Sequence, residues 1–171
     1  MKILTEIHRS EGINIHGKTI YRTAVRGVIL RERDLLMVLS SAVGDYKFPG
    51  GGVDEGESYE HALRREVQEE CGVLLKQVGD EIGAVLEYNF SKEPDYDLFK
   101  MTSHYYYCAV QGDFGAQKLD DYERELGFMP VWIDIDQAVQ ENKRLLNALT
   151  PPAWLRREIY MLEYLKKNLF N

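Results

Sequence analysis

Residues 51–73 read GGVDEGESYEHALRREVQEECGV. Ser58 is a preferred N-cap residue and Gly72 a preferred residue just past a helix end, so a helix is expected over about 58–71. On that helix Glu66, Glu69 and Glu70 stand at i, i+3 and i+4 and share one face. Leu63 and Val67 form an apolar stripe beside them. The helix is therefore expected to pack on a sheet while its acids line the rim of a cleft. Three carboxylates about 5–6 Å apart repel one another unless a hard cation neutralises them. Oxygen donors of this kind suit Mg²⁺ or Mn²⁺, and Mg²⁺ typically joins carboxylates to substrate phosphates. Several glutamates on a helix are ordinarily a solvated face, so the meaning of these three rests on their surroundings.

Upstream, 23–30 (TAVRGVIL) and 35–40 (LLMVLS) are β-rich apolar runs joined by a charged turn, and read as neighbouring strands. Residues 2–21 read as an extended lead-in, with strand candidates at 13–15 and 19–21. Pro49-Gly50-Gly51-Gly52 is a strong turn signal. Downstream, 82–90, 100–110 and 128–133 read as strands, with a polar loop at 91–98. Asp134 or Asp136 is placed to cap a helix reaching about Ala148. Pro151-Pro152 opens a last helix to about Leu169, whose Leu155, Ile159, Leu162, Leu165 and Leu169 fall at helical spacing. That stripe suits packing on its own domain or, alternatively, a homodimer interface. Strands alternating with helices imply an α/β domain.

The 171 residues suit a single domain over 1–171, and 44% hydrophobic with 29% charged residues is ordinary for a globular chain. No apolar run approaches membrane-spanning length, and the start lacks the apolar centre of a secretory signal, so no membrane association and a cytoplasmic location are expected. Cys71 and Cys108 have no metal-ligand spacing and read as reduced thiols. A net charge of −7 argues against nucleic acid as a partner. It leaves room for a small anionic substrate, because divalent cations invert the local charge of an acidic cleft.

The order Gly51, Glu57, Arg65-Glu66, Val67, Glu69-Glu70, Gly72 and Val73 resembles the Nudix box at every defined position. A chance match is on the order of one in ten million at ordinary residue usage. The strand pair before the box, Phe48-Pro49-Gly50 leading into it, and Trp132-Ile133-Asp134 leading into a helix also resemble that family. The resemblance implies an α/β/α sandwich with a mixed β-sheet and the box helix at about 58–71. It implies hydrolysis of a pyrophosphate bond in a nucleoside diphosphate linked to another moiety, by attack of water assisted by Mg²⁺ or Mn²⁺. It further implies that Glu66, Glu69 and Glu70 bind metal and catalyse, with Glu69 and Glu70 the foremost ligands and Glu66 a ligand, a general base or both. The backbone carbonyl of Gly50 matches a further ligand position. Glu57 and Arg65 match the pair that holds loop and helix together. A fourth acid from a later loop is common in the family, and Glu123 or Glu125 is the candidate here.

Recognition of the substrate is harder to read. Arg26 on the first core strand is a candidate for contacting a phosphate or a site glutamate. Tyr46, Phe48 and Tyr88 are candidates for stacking on a base or sugar, against the ordinary reading of each as packing. His104 reads as a satisfied structural residue. Two other functions compete with hydrolysis of a small nucleotide-type molecule. One is a non-catalytic nucleotide-sensing domain, which the complete box disfavours; the other is an RNA 5′-end pyrophosphohydrolase, which the acidic charge disfavours.

Overall fold

A computed structural model describes residues 1–170. The strands are β1 (Ile3–His8), β2 (Thr19–Arg31), β3 (Asp34–Ser40), β4 (Asp45–Lys47), β5 (Leu74–Phe90), β6 (Leu98–Gln111) and β7 (Phe128–Asp134). The helices are α1 (Tyr59–Cys71), α2 (Asp121–Leu126), α3 (Ile135–Leu146) and α4 (Leu155–Leu169). The sheet runs β1-β5-β6-β2-β3-β4, and β7 also pairs with β3. It is mixed: β1 is parallel to β5 and β2 to β6, while the other pairs are antiparallel.

The alternation along β2 explains the layers. Val25 and Ile29 face Ala62, Leu63 and Val67 of α1 in one core. Val28 faces the other way, into a core shared with Ala138 and Val139 of α3 and Met161, Leu162 and Leu165 of α4. The result is the α/β/α sandwich with a mixed sheet foreseen above. The apolar stripe of α4 is covered within the chain, where Leu155, Ile159, Leu162 and Leu165 are buried. Leu169, the last member of the stripe, is exposed. No helix among the described residues is long and apolar enough to cross a membrane.

Four local expectations change. The first strand is Ile3–His8, whereas 13–15 lies outside any strand; Ile13 instead packs on Leu86, Tyr88 and Leu98. β5 begins at Leu74 rather than at 82, because register shifts between Val78 and Gly83 let a polar, glycine-containing stretch stay in the sheet. Residues 121–126, expected as part of a loop carrying Glu123 and Glu125, form the short helix α2. Finally, α4 starts at Leu155, three residues beyond the proline pair.

Candidate active site

β2 and β3 pair only at their joined ends, Leu30 with Leu35 and Arg31 with Asp34. Where they part, residues 49–53 take the vacated edge of β2. Gly27 N–H donates to the Pro49 carbonyl at 2.8 Å, Val25 N–H to Gly51 at 2.9 Å, and Val53 N–H to Thr23 at 3.0 Å. Two glycines make this approach feasible. Gly50 has φ +131°, and a Cβ there would collide with the Val25 carbonyl. A Cβ on Gly51 would collide with the Glu66 carboxylate.

The helix that carries the acids starts and stops where its caps dictate. Ser58 Oγ accepts from His61 N–H at 3.2 Å, and Gly72, at φ +66°, returns its N–H to the Gln68 carbonyl at 2.9 Å. Leu63 and Val67 anchor it on the sheet. Arg65 then braces loop to helix. Its Nε and Nη2 meet the two oxygens of Glu57 at 3.1 and 2.9 Å, and Nη2 also donates to the Gly52 carbonyl at 3.0 Å. Its Nη1 donates to Glu66 at 2.7 Å and to Glu69 at 3.3 Å. The hydrogen bonds from Arg65 hold the Glu57 carboxyl below its ordinary pKa.

Glu70 is only 4% exposed, and its Oε2 accepts the Gly50 N–H at 2.7 Å. Burial pushes its carboxyl up to about 8, against the opposing pull of Arg26 and the Gly50 amide. Burial also raises Glu66, with the Arg65 hydrogen bond working the other way. Glu66, Glu70 and Glu123 each offer an oxygen, and these oxygens lie within 4.8 Å of one another. Glu123 reaches this position from α2, where it forms a reciprocal capping box with Asp120.

The structure thus separates the residues singled out in sequence. Glu66 and Glu70 meet Glu123; Glu69 stands apart, turned toward Arg65. Glu125 does not line the cleft. The Gly50 carbonyl accepts a hydrogen bond from Arg26 Nη1, so it is already engaged within the chain. Arg26 lines the cleft, but Tyr46, Phe48 and Tyr88 do not. Phe48 is fully buried, edge-on to Tyr105 with ring centroids 5.6 Å apart. Tyr46 packs beside the same core, and Tyr88 stacks on His8 at 4.8 Å. His104 Nδ1 lies 2.8 Å from a Glu81 oxygen.

The three clustered carboxylates border a cleft of about 510 Å³. Its floor includes Arg22, Ala24 and Arg26, alternate residues of β2, and Phe99 and Met101 of β6. Arg22 was legible from that alternation, since it shares a face with Arg26. Lys47 was not: its ammonium sits 3.4 Å from the Phe128 ring centroid and 5.0 Å from that of Trp154. Burial lowers the Lys47 pKa, while Glu70 and Asp45 oppose the shift. Trp154, which donates to Asp45 at 2.6 Å, and Arg157 come from the far end of the chain. Only tertiary structure brings them here.

The family model described as NUDIX domain matches residues 20–153. α4, which supplies Arg157 to the cleft, lies beyond that match. Nudix hydrolase 25 of Arabidopsis thaliana is 37% identical over 73 residues, which is 41% of this chain and 41% of that one. The chain therefore matches less than half the length of that relative. An RNA pyrophosphohydrolase of a Nitratiruptor species is 27% identical over 162 residues, 88% of this chain and 97% of its own. Among solved structures, a NUDIX hydrolase from Nitrosomonas europaea superposes with a TM-score of 0.57 at 20% identity, covering 84% of this chain and 90% of that one.

Proposed function

The chain belongs to the NUDIX family of hydrolases that act on pyrophosphate bonds, and from that premise we propose that it cleaves a small nucleotide-type substrate with Mg²⁺ or Mn²⁺ held by Glu66, Glu70 and Glu123. The observation that carries this reading is the convergence of those three carboxylates beside a cleft whose floor holds Arg22 and Arg26. Two of the acids are partly or wholly desolvated, which penalises their charged forms and is relieved by a hard cation. When bound, such an ion neutralises the acids and supplies Lewis acidity toward the phosphates and the attacking water.

The chain's own groups do the rest. Arg22, Arg26 and Lys47 offer donors to phosphate oxygens, and Lys47 is held in place by its aromatic neighbours. Arg65 engages Oε1 of Glu66, leaving Oε2 beside Gly51 at the cleft wall to accept the proton of the attacking water. A water oxygen–phosphorus bond forms, the anhydride phosphorus–oxygen bond breaks, and the leaving phosphate carries away the electron pair. Positioning and electrostatics supply most of the rate in such a transfer. Glu57 and Arg65 act by fixing the helix against the loop rather than by touching the substrate. We read the chain as a single domain, since its helices flank one sheet.

A second reading is release of pyrophosphate from triphosphorylated RNA. It is favoured by the near full-length alignment with an RNA pyrophosphohydrolase and opposed by the net charge of −7. Turnover across nucleoside di- and triphosphates, sugar nucleotides, dinucleotides and a 5′-triphosphorylated RNA, each with Mg²⁺ or Mn²⁺, separates the readings. Preference for a free nucleotide supports the first, preference for the RNA supports the second, and no turnover of any member contradicts both.

A further inference from the structure

Residues 112–120 connect β6 to α2 and pass the C-terminal end of α1. The last carbonyls of a helix lack intrahelical partners. Here this connecting segment supplies donors to two of them and to the capping glycine: Lys118 N–H to Glu69 at 2.8 Å, Gln117 Nε2 to Glu70, and Gly115 N–H to Gly72 at 2.8 Å. The same Gln117 nitrogen also donates to the Phe128 carbonyl at 3.1 Å. Gln117 therefore touches both ends of the excursion 118–127. That excursion contributes Asp120, Tyr122 and Glu123 to the cleft, yet α2 buries no residue. Leu119 and Leu126 pack partly buried against the α1-side core, and hydrogen bonds supply the rest of its anchoring. Inside it, Glu123 is held by the capping box with Asp120. At its far end, Ser41 and Ala42 donate to the carbonyls of Gly127 and Leu126 at 3.1 Å each.

We propose that Gln117 is a positioning residue: it clasps the excursion shut against the backbone of Glu70 and so sets the place of Glu123 relative to Glu66 and Glu70. The inference rests on reading those three acids as a cation site. Both amide hydrogens are used, one on a residue whose carboxylate belongs to the cluster and one on the residue that closes the loop. An apolar side chain of the same length keeps the packing but leaves both carbonyls without that donor. Gln117 then tunes affinity for the cation through Glu123, without touching cation or substrate itself.

Electron paramagnetic resonance of Mn²⁺ titrated into the substrate-free protein reads the site without turnover. Gln117→Met and Glu123→Gln are each expected to weaken Mn²⁺ binding roughly tenfold, and the double variant to bind no more weakly than Glu123→Gln alone. Gln117→Asn, which keeps an amide but is one methylene short, is expected to weaken binding by an intermediate factor. It provides the test if the methionine variant does not fold. A merely structural role lowers Tm without this non-additivity. Wild-type affinity in the Gln117 variants, or a full additional loss on top of Glu123→Gln, overturns the clasp while leaving the cation site standing. A wild-type protein that binds no Mn²⁺ overturns the site reading and the clasp with it.

Discussion

Glu70 Oε2 accepts the backbone N–H of Gly50 at 2.7 Å, and this bond joins the box helix to the loop that borders β2. It places a buried carboxylate against the backbone where a phosphate-bearing substrate is expected to lie. In the cation-free protein, burial raises the Glu70 pKa from its ordinary 4.5 to about 8, and raises Glu66 as well. Between those values the folded state holds a proton that the unfolded state has released. Stability is therefore highest at low pH within this window and falls as pH rises toward 8. Lys47, whose pKa is lowered, acts in the opposite sense closer to its own ordinary value. Denaturant unfolding in chelator between pH 5 and 8 should show the fall, and saturating Mg²⁺ should flatten it. Glu70→Gln should flatten it without metal and lower turnover by roughly two to four orders of magnitude.

Gly50 and Gly51 should respond differently to alanine. Gly50→Ala meets both a positive φ and the Val25 carbonyl, so it should destabilise the fold by roughly 2 kcal/mol or more, read by denaturant titration. Gly51→Ala meets the Glu66 carboxylate instead, so activity should fall much further than stability. Equal losses of stability in the two variants would contradict this division.

Arg65→Lys keeps the charge and loses the fork that joins Glu57, Gly52 and Glu66. The pair with Glu57 lies at a partly exposed position, so the expected stability change is small, at most about 1 kcal/mol. The expected effect on kcat is roughly tenfold to a hundredfold, from a misplaced Glu66. Wild-type kcat in this variant would show that the brace does not act on the site.

Arg157 is 2% exposed and pairs with Glu87 at 2.7 Å and with Glu158 at 2.6 Å. Glu158 in turn accepts the Phe48 N–H at 3.0 Å, two residues ahead of Gly50. Arg157→Met leaves buried Glu158 without its cation and Glu87 with one of its two, and should cost about 3–5 kcal/mol in denaturant unfolding. Glu87 also pairs with Arg9 at 2.6 Å, so replacing Arg9 in the Arg157 variant strips Glu87 of both cations and should cost more than replacing Arg9 alone.

Much of this site was legible in the chain because its rules are local. Ser58 and Gly72 fix the ends of α1, and helical spacing puts Glu66 and Glu70 on one face. The same spacing did not reveal that Glu66 and Glu70 meet Glu123 while Glu69 lies outside that cluster, since Glu123 comes from a distant segment. The choice of Glu123 over Glu125 carried a local signal, the Asp120–Glu123 capping pair, but only inside a helix not expected there. Tyr46 and Phe48 flank the box in sequence and pack on the core, while Trp154 and Arg157, far away in sequence, line the cleft. Aromatic and basic residues are sorted between core and cleft by tertiary packing, which a single strand's composition does not encode. Gln117 gave no signal at all, because its partners are backbone carbonyls of two distant segments.

The most direct test of the central claim is hydrolysis of the preferred nucleotide in ¹⁸O-labelled water, followed by ³¹P NMR with and without Mg²⁺. The expected result is label in one phosphate product, formed only with the cation and abolished by Glu70→Gln. Equal turnover in excess chelator, or undiminished turnover in Glu70→Gln, would contradict a cation-assisted reaction at Glu66, Glu70 and Glu123.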